Sequence, residues 1–333
     1  MGATGDGFRA AAVALHLGDL YEPDPMSPED LCTLGEVASG FRVDRASLAG
    51  LTTAEWLVRW RELRRRHPDF GATSPEEAQA RHRREAERLD AEGRWAATIP
   101  HLDALIKAQP EEAPLLALRG RARAELGRLK EADADYARAI ELGTDPWCWW
   151  AHALLRAHLG DSAGFHETCE RLLTRFGDTG DLPTIDVVVQ ACNLAPDAVA
   201  DRARPVRLAE TVVAGAPRNR DDLNTLGVAL YRAGRYEEAI GRLNEARALT
   251  GDPQGTVWDW LFLAMAHGRL GHTAEAREWL GRAERWIDRE ASGGPANPVA
   301  GTRLSWNQRL GLQLFRREAE AMIAGQGTPP LER

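Results

Sequence analysis

The stretch from Arg220 to Gly251 reads RDDLNTLGVALYRAGRYEEAIGRLNEARALTG, and it predicts two helices joined by a tight turn. Leu223 and Leu226 lie three residues apart, which is the spacing of one helix face. Gly234 follows, and glycine readily adopts the left-handed conformation that ends a helix because it has no Cβ atom. A second apolar segment then begins with an acidic pair, which suits the positive end of the helix dipole. The stretch therefore predicts an antiparallel helical hairpin.

The hairpin pattern recurs along the chain at intervals near 34 residues. Its turn glycines are Gly93, Gly127, Gly160, Gly234 and Gly271. In four of these hairpins a small residue stands five positions after the glycine, where it lets the two helices approach closely. These small residues are Thr98, Ala132, Ala239 and Ala276. Four positions further on, a larger residue keeps one face of the second helix apolar: Leu102, Tyr136, Leu243 and Leu280.

This pattern resembles the tetratricopeptide repeat (TPR), a helical hairpin of about 34 residues. The units begin at Gln79, Ala113, Trp147, Arg220 and Val257. The TPR consensus has glycine or alanine at position 8, and four of the five units match it. That position holds Ala86, Gly120, Leu154, Gly227 and Ala264. The resemblance implies an all-α fold, a TPR-like right-handed α-α superhelix that forms a solenoid of antiparallel helix hairpins.

The solenoid is predicted to cover residues 77–324. Residues 183–215 are interpreted as a degenerate helix pair, because a break there would leave the neighbouring apolar faces unburied. The third hairpin departs from the consensus, with Phe165 or His166 where alanine belongs. Residues 303–324 carry a broad apolar stripe and are predicted to form a helix that caps the open end of the solenoid.

The two ends of the chain are predicted to lie outside the repeats. Residues 1–24 are predicted to be an extension, in which alternating apolar residues at 11–18 suggest a short strand. Residues 25–76 are predicted to hold two amphipathic helices, near 27–38 and 53–66, and a linker. The tail at residues 325–333 is predicted to be flexible.

The order of segments also resembles the C-terminal tails of large bacterial proteins in which a WD40 propeller or a serine/threonine kinase precedes TPR repeats. The segments that carry this resemblance are Trp56–Trp60 with His67-Pro68, His82–Ala86 and Trp306–Leu310. The resemblance implies that a kinase or a WD40 propeller is a partner of this chain. Residues 11–18 would then be the relic of a propeller's last strand. The sequence has no H-R-D signature of a kinase catalytic loop.

The composition argues against several classes of function. The net charge of −8 disfavours general binding to nucleic acid, and the basic patches at 59–67 and 81–84 lie near acidic residues. No apolar run approaches the ~20 residues of a membrane span. The first ten residues lack the basic start and apolar core of a secretion signal, so a cytoplasmic location is expected. No Walker or G-x-G-x-x-G motif is present, so no cofactor is expected.

Two short strings resemble catalytic motifs. Residues 160–164 match the G-x-S-x-G motif, which in hydrolases is a strand-to-helix turn that exposes the serine. Here a helix precedes the motif, so Ser162 is interpreted as a helix-start residue. Residues 166–170 begin like a zinc-protease helix, but Glu170 replaces the second histidine ligand, and the four cysteines form no C-x-x-C pair. The alternative hypothesis is a cryptic hydrolase that uses Ser162 or a metal near His166.

The preferred interpretation is a non-catalytic scaffold that binds a protein or peptide. In TPR proteins the first helix of each hairpin lines a concave groove, and its groove positions give ten candidate residues here. They are Arg83, Glu87, Arg121, Glu125, His158, Asn224, Tyr231, Arg232, Trp258 and Arg269. Such a mixture of charged, amide and aromatic groups suits an extended peptide or a partner helix. Four tryptophans are instead expected to pack between hairpins: Trp147, Trp149, Trp150 and Trp260.

Overall fold

The computed structural model describes residues 27–44, 47–67, 74–143, 145–249, 255–291 and 304–325. The strand predicted at 11–18 and the predicted tail beyond Gly325 lie outside these residues. The chain divides after Ala78 into two compact units.

The first unit contains two helices and a small pair of strands. Helix α1 spans Pro28–Ser39 and helix α2 spans Thr53–Arg66, both within a residue of the predicted bounds. Between them, strands β1 (Phe41–Asp44) and β2 (Ser47–Gly50) pair antiparallel. These strands were not predicted, because four residues are too few for an alternating pattern to stand out.

Local side-chain bonds explain where the two helices of the first unit begin. The hydroxyl of Ser27 accepts a hydrogen bond of 3.1 Å from the backbone N–H of Asp30. Thr52 and Glu55 form a capping box at the start of α2. The indole N–H of Trp56 donates to the carbonyl oxygen of Val37 at 2.8 Å, which ties α2 to α1.

Within the described residues, the second unit consists of six helical hairpins and one further helix, except that the first four residues of its first helix belong to the first unit. The hairpins pair α3 (Pro75–Ala91) with α4 (Trp95–Ala108), α5 (Ala113–Glu125) with α6 (Leu129–Glu141), α7 (Pro146–His158) with α8 (Ser162–Phe176), α9 (Leu182–Cys192) with α10 (Ala203–Gly215), α11 (Arg220–Arg232) with α12 (Tyr236–Ala248), and α13 (Val257–Arg269) with α14 (Thr273–Ala291). Helix α15 (Trp306–Ile323) follows them. The predicted all-α solenoid of antiparallel helix hairpins is confirmed.

The turn glycines have the backbone conformation that the repeat pattern requires. All five predicted turn glycines have positive φ angles, for example +81° at Gly234. Around that turn the N–H of Arg235 bonds to the carbonyl oxygen of Leu230 at 2.9 Å, which closes the end of α11. A residue with a Cβ atom would be strained at this position.

Close helix approach within a hairpin depends on the small residues that the pattern singled out. A Cβ atom built on Gly227 of α11 would lie 2.8 Å from Cγ of Leu243 on α12. Leu243 itself is fully buried. The small residues predicted at the hairpin interfaces are all buried: Thr98, Ala132, Ala239 and Ala276. Glycine at position 8 therefore allows the second helix to pack directly on the first.

The third hairpin forms despite its departure from the consensus. Phe165 is fully buried, and alanines at 151, 153 and 157 on the facing helix α7 are buried with it in the main core. The tryptophan prediction is correct for Trp149, which is 3% exposed, but wrong for Trp147, which is 54% exposed. Trp147 lies in the first turn of α7 and packs edge-on against Trp150, with ring centroids 5.7 Å apart.

No described helix combines the length and the apolar composition that crossing a membrane requires.

Candidate functional site

We call the surface formed by the first helices α3, α5, α7, α11 and α13 the groove face, because the ten predicted binding residues lie on these helices. Helix α15 packs against α7, α13 and α14, and its side chains also reach α5 and α11. The prediction that α15 caps the open end of the solenoid is therefore incomplete. The helix covers the last hairpin, but it also extends over the groove face as far as α5.

The start of α15 is anchored on α5. The carboxylate of Glu125 accepts a hydrogen bond from the backbone N–H of Trp306 at 3.2 Å. It also pairs with the guanidinium of Arg309 at 3.1 Å, and the Glu125 side chain is only 12% exposed. The indole of Trp306 stacks on the ring of Tyr136, with centroids 6.2 Å apart. A carboxylate on the groove face thus accepts a hydrogen bond from a free N–H at the start of the helix, and it also neutralises the charge of a basic side chain of that helix.

The middle of α15 packs against α13 through aromatic rings. Phe315 meets Phe262 edge to face at 4.9 Å between centroids, and it meets Trp258 at 6.0 Å. The indole of Trp258 also lies over Gly311, where a built Cβ atom would come within 3.3 Å of the ring. Phe315 and Leu310 are both buried in the main core.

A buried ion pair joins α15 to α11. Arg232 and Glu318 form a bidentate ion pair, in which the Nη2–Oε2 distance is 2.8 Å. Their side chains are 9% and 8% exposed. Nε of Arg232 also donates to the carbonyl oxygen of Asn193 at 3.0 Å, and the guanidinium lies 5.4 Å from the centroid of the Phe262 ring. This network satisfies both buried charges, which is the condition under which such a pair is tolerated.

The last turns of α15 contact Tyr231 and His158. The hydroxyl of Tyr231 donates to Sδ of Met322 at 3.7 Å, and burial raises the pKa of Tyr231 to about 12. Nη2 of Arg317 lies 3.4 Å from Nδ1 of His158. Burial and the positive charge of Arg317 lower the pKa of His158, which favours its neutral form.

Two more of the predicted residues bond to neighbouring helices of the solenoid. Nδ2 of Asn224 donates to the buried carboxylate of Asp259 on α13 at 2.6 Å. Burial acts to lower the pKa of Arg269, but its hydrogen bond to Tyr231 and the nearby charge of Glu318 help to raise the pKa above its usual value. Both residues connect α11 to α13, so they position the face on which α15 lies.

The remaining three predicted residues lie at the other end of the groove face, on α3 and α5. Arg83 pairs with Glu112 at 3.0 Å, and its side chain is 42% exposed. Arg121 pairs with Asp90 and is 41% exposed. Glu87 is exposed and forms no ion pair with any described residue. No described residue of α15 bonds to these three side chains. Among the described residues, this end of the face is therefore open to a partner protein.

The described structure does not place Ser162 in the geometry of a hydrolase nucleophile or His166 in that of a metal site. Ser162 opens α8 directly after the end of α7, in a helix-to-helix turn, and not in the strand-to-helix turn of a hydrolase. Asp161 caps α8 by accepting from the N–H of Gly164 at 3.0 Å, and it also pairs with Arg156. His166 packs against the Phe165 ring. The described residues contain no group of three His, Cys, Asp or Glu side chains that could hold a metal ion.

Sequence reasoning missed the position of α15, although one signal was present. Leu310, Phe315 and Ala319 were included in the apolar stripe of this helix, but Glu318 stands inside the same buried surface. A carboxylate in an apolar stripe requires a buried cationic partner. That partner, Arg232, is 86 residues away in the chain.

Comparisons with known proteins address the repeat. Residues 222–285 match a family model described as tetratricopeptide repeat, and residues 113–142 match a second model with the same description. A search of curated proteins finds no match.

Several solved structures resemble the chain at low sequence identity. A tetratricopeptide repeat protein from Parabacteroides merdae is 13% identical over 79% of this chain and 91% of that chain, with a TM-score of 0.46. The assembly chaperone of RpL4 (Acl4) is 18% identical over 75% of this chain and 99% of that chain, with a TM-score of 0.42. The TPR protein YrrB, whose description mentions an unusual peptide-binding site, is 12% identical over 59% of this chain and 94% of that chain, with a TM-score of 0.41. The assignment itself rests on the family models and on the observed helical hairpins: the chain contains tetratricopeptide repeats within an all-α solenoid.

Proposed function

We propose that this protein is a non-catalytic interaction scaffold, and that the open end of its groove face binds a peptide or helix of a partner protein. The presence of TPR repeats supports the general role, because stacked helical hairpins expose an extended binding surface. The site is assigned to the surface around Arg83, Glu87 and Arg121.

The observation that carries this proposal is the way the same face holds α15. Along α5, α7, α11 and α13, groove-face residues bind the backbone, the aromatic rings and the acid of one helix. This is the mode in which an amphipathic helix is recognised in a groove. The three residues on α3 and α5 continue that face beyond Trp306, and they retain exposed charge with which to select a partner.

A matched pair of charge-reversal variants tests the proposal. Arg83→Glu with Arg121→Glu changes the open end, whereas Arg128→Glu with Arg138→Glu makes the same change in net charge at the N-cap and on the surface of α6. Arg128 and Arg138 are 44% and 51% exposed, and each pairs with an acid of α6. Proteins retained from a native lysate by tagged full-length chains would be quantified by mass spectrometry.

We expect the first variant to lose at least one protein that both the wild type and the α6 variant retain. Equal retention of every protein by all three chains would contradict the assignment of the binding site.

The resemblance to kinase-linked and propeller-linked tails adds a narrower prediction, that the partner is a kinase or a WD40 propeller in the cytoplasm. The triplet Asp69-Phe70-Gly71 spells the D-F-G signature, but it does not indicate a kinase in a chain without H-R-D. Co-expression of the tagged chain with the proteins of neighbouring reading frames tests this prediction. A kinase or propeller should co-purify with the wild type and not with the Arg83→Glu, Arg121→Glu variant.

A further inference from the structure

A large cleft opens between α13, α14 and α15. Its volume is about 920 Å³, near the upper end of the range for ligand sites in proteins. Trp258 and Trp260 of α13, Leu312 of α15 and Trp286 of α14 supply apolar walls. Trp258 and Trp286 are only half-buried, so part of each indole remains accessible to a ligand.

Three arginines on one face of α14 give the cleft a positive charge. Arg282, Arg285 and Arg289 are spaced by three and four residues, which places them on the same side of the helix. None of them forms an ion pair with a described residue, although the whole chain carries a net charge of −8. A row of like charges at this spacing opposes helix formation slightly, and an anionic ligand removes that repulsion.

The other contacts of the cleft hold part of this row in place. Arg282 lies over the rings of Trp260 and Trp279, at 5.1 and 5.6 Å from the centroids. A fourth arginine, Arg220, is already bonded to the buried carboxylate of Asp259 at 2.8 Å. The exposed arginines Arg285 and Arg289 are therefore the ones available to a ligand.

We propose that this cleft binds an acidic peptide segment of a partner protein, with two carboxylates on the arginine row and an apolar side chain against Trp258 and Trp286. Arg285 and Arg289 are four residues apart, or about 6 Å along the helix. In an extended peptide, acidic residues two positions apart lie on the same side and are separated by about 7 Å. A single small anion on the arginines does not reach the aromatic wall, whereas a peptide with acidic and apolar side chains contacts both.

This site differs in its residues from the open end of the groove face, so the two proposals fail independently. The open end depends on Arg83 and Arg121, and the cleft depends on Arg285 and Arg289. A variant at one place leaves the other unchanged.

The test is selection of peptides from a random twelve-residue display library on the immobilised full-length chain. An enriched peptide is then labelled with fluorescein, and its affinity is measured for three chains. These are the wild type, Arg285→Glu with Arg289→Glu, and the charge-matched control Arg138→Glu with Arg277→Glu. Arg277 is exposed on α14 but does not line the cleft. Thermal melting checks that all three chains are folded.

We expect enriched peptides with at least two acidic residues and an aromatic or aliphatic residue, and affinity that falls as sodium chloride is raised. The cleft variant should bind roughly twofold to thirtyfold more weakly than the wild type, and the control should bind like the wild type. Selection without acidic enrichment, or equal binding to the cleft variant, would overturn the proposal. Full competition of the labelled peptide by inorganic phosphate alone would also overturn it, because the site would then recognise a single anion.

Discussion

The two ends of the groove face have similar side chains in different surroundings. Toward the C-terminal hairpins, Arg232 is 9% exposed and pairs with Glu318 of α15. Toward the N-terminal hairpins, Arg83 is 42% exposed and pairs with Glu112 of the adjacent hairpin. The same residue type therefore stabilises the fold at one end and remains accessible at the other. The difference arises from α15, which covers only part of the face.

This comparison separates two uses of charge in a helical solenoid. A buried, fully bonded ion pair contributes specificity, and removing one partner is costly because the other charge stays buried. An exposed pair contributes little to stability, since water and salt screen it, but it can select a binding partner. Mutations at the two ends should therefore differ in their effect on unfolding.

The largest expected effect is at Glu318. The substitution Glu318→Ala leaves the buried guanidinium of Arg232 without its carboxylate, and it should lower the free energy of unfolding by about 3–5 kcal/mol. Urea denaturation followed by circular dichroism measures this change. The control is Glu238→Ala, which removes an exposed partner of Arg235 and should leave the urea midpoint nearly unchanged. Similar losses in both variants would contradict the distinction between buried and exposed ion pairs.

A smaller effect is expected at Tyr231, whose hydroxyl is buried against α15 and Arg269. The substitution Tyr231→Phe keeps the ring and removes the hydrogen bonds of the hydroxyl, which should cost about 0.5–1.5 kcal/mol of the free energy of unfolding. Tyr236→Phe is a matched control, because the hydroxyl of Tyr236 has no hydrogen-bond partner among the described residues. Equal stability of the two variants would indicate that the hydroxyl of Tyr231 is not engaged.

At the open end, single substitutions should have a still smaller effect. Arg83→Ala and Arg121→Ala each remove one exposed ion pair, so each should lower the free energy of unfolding by less than about 1 kcal/mol. The same urea titration measures both. A loss of unfolding free energy at either position as large as that of Glu318→Ala would show that these ion pairs, too, stabilise the fold.

The smallest effect concerns the pH dependence of the contact between α7 and α15. The pKa of His158 is lowered in the folded chain by burial and by Arg317, so the unfolded chain binds the proton more readily. Stability associated with His158 is therefore present above the ordinary pKa of about 6.5 and is lost as the pH falls below it. The stability advantage of the wild type over His158→Gln should shrink between about pH 7.5 and about pH 5.5. An advantage that grows on acidification would require a raised pKa.

The repeat could be predicted from the sequence because its signals are local. Gly234 must take a positive φ, Gly227 must let Leu243 approach, and both requirements recur at a nearly constant interval. The ten groove-face residues follow from the repeat once its phase is known. Their role in binding a partner stays a prediction, since five of them contact α15 in the structure.

The features that were not predicted depend on distant contacts or on very short elements. The strands Phe41–Asp44 and Ser47–Gly50 are too short to produce a period. The position of α15 depends on Glu125, about 180 residues before it, and on Arg232. The amphipathic pattern of α15 predicts that it packs against other helices, but it does not specify which ones.

The central claim is that α15 lies along the groove face as far as α7 and α5, and photo-crosslinking tests it directly. A benzophenone amino acid placed at position 317 of the full-length chain would be irradiated, and the crosslinked peptides identified by mass spectrometry. Because Arg317 lies beside His158, we expect crosslinks to the peptide that contains residues 146–158. Crosslinks confined to α13 and α14 would mean that α15 only caps the end of the solenoid, and they would contradict this account.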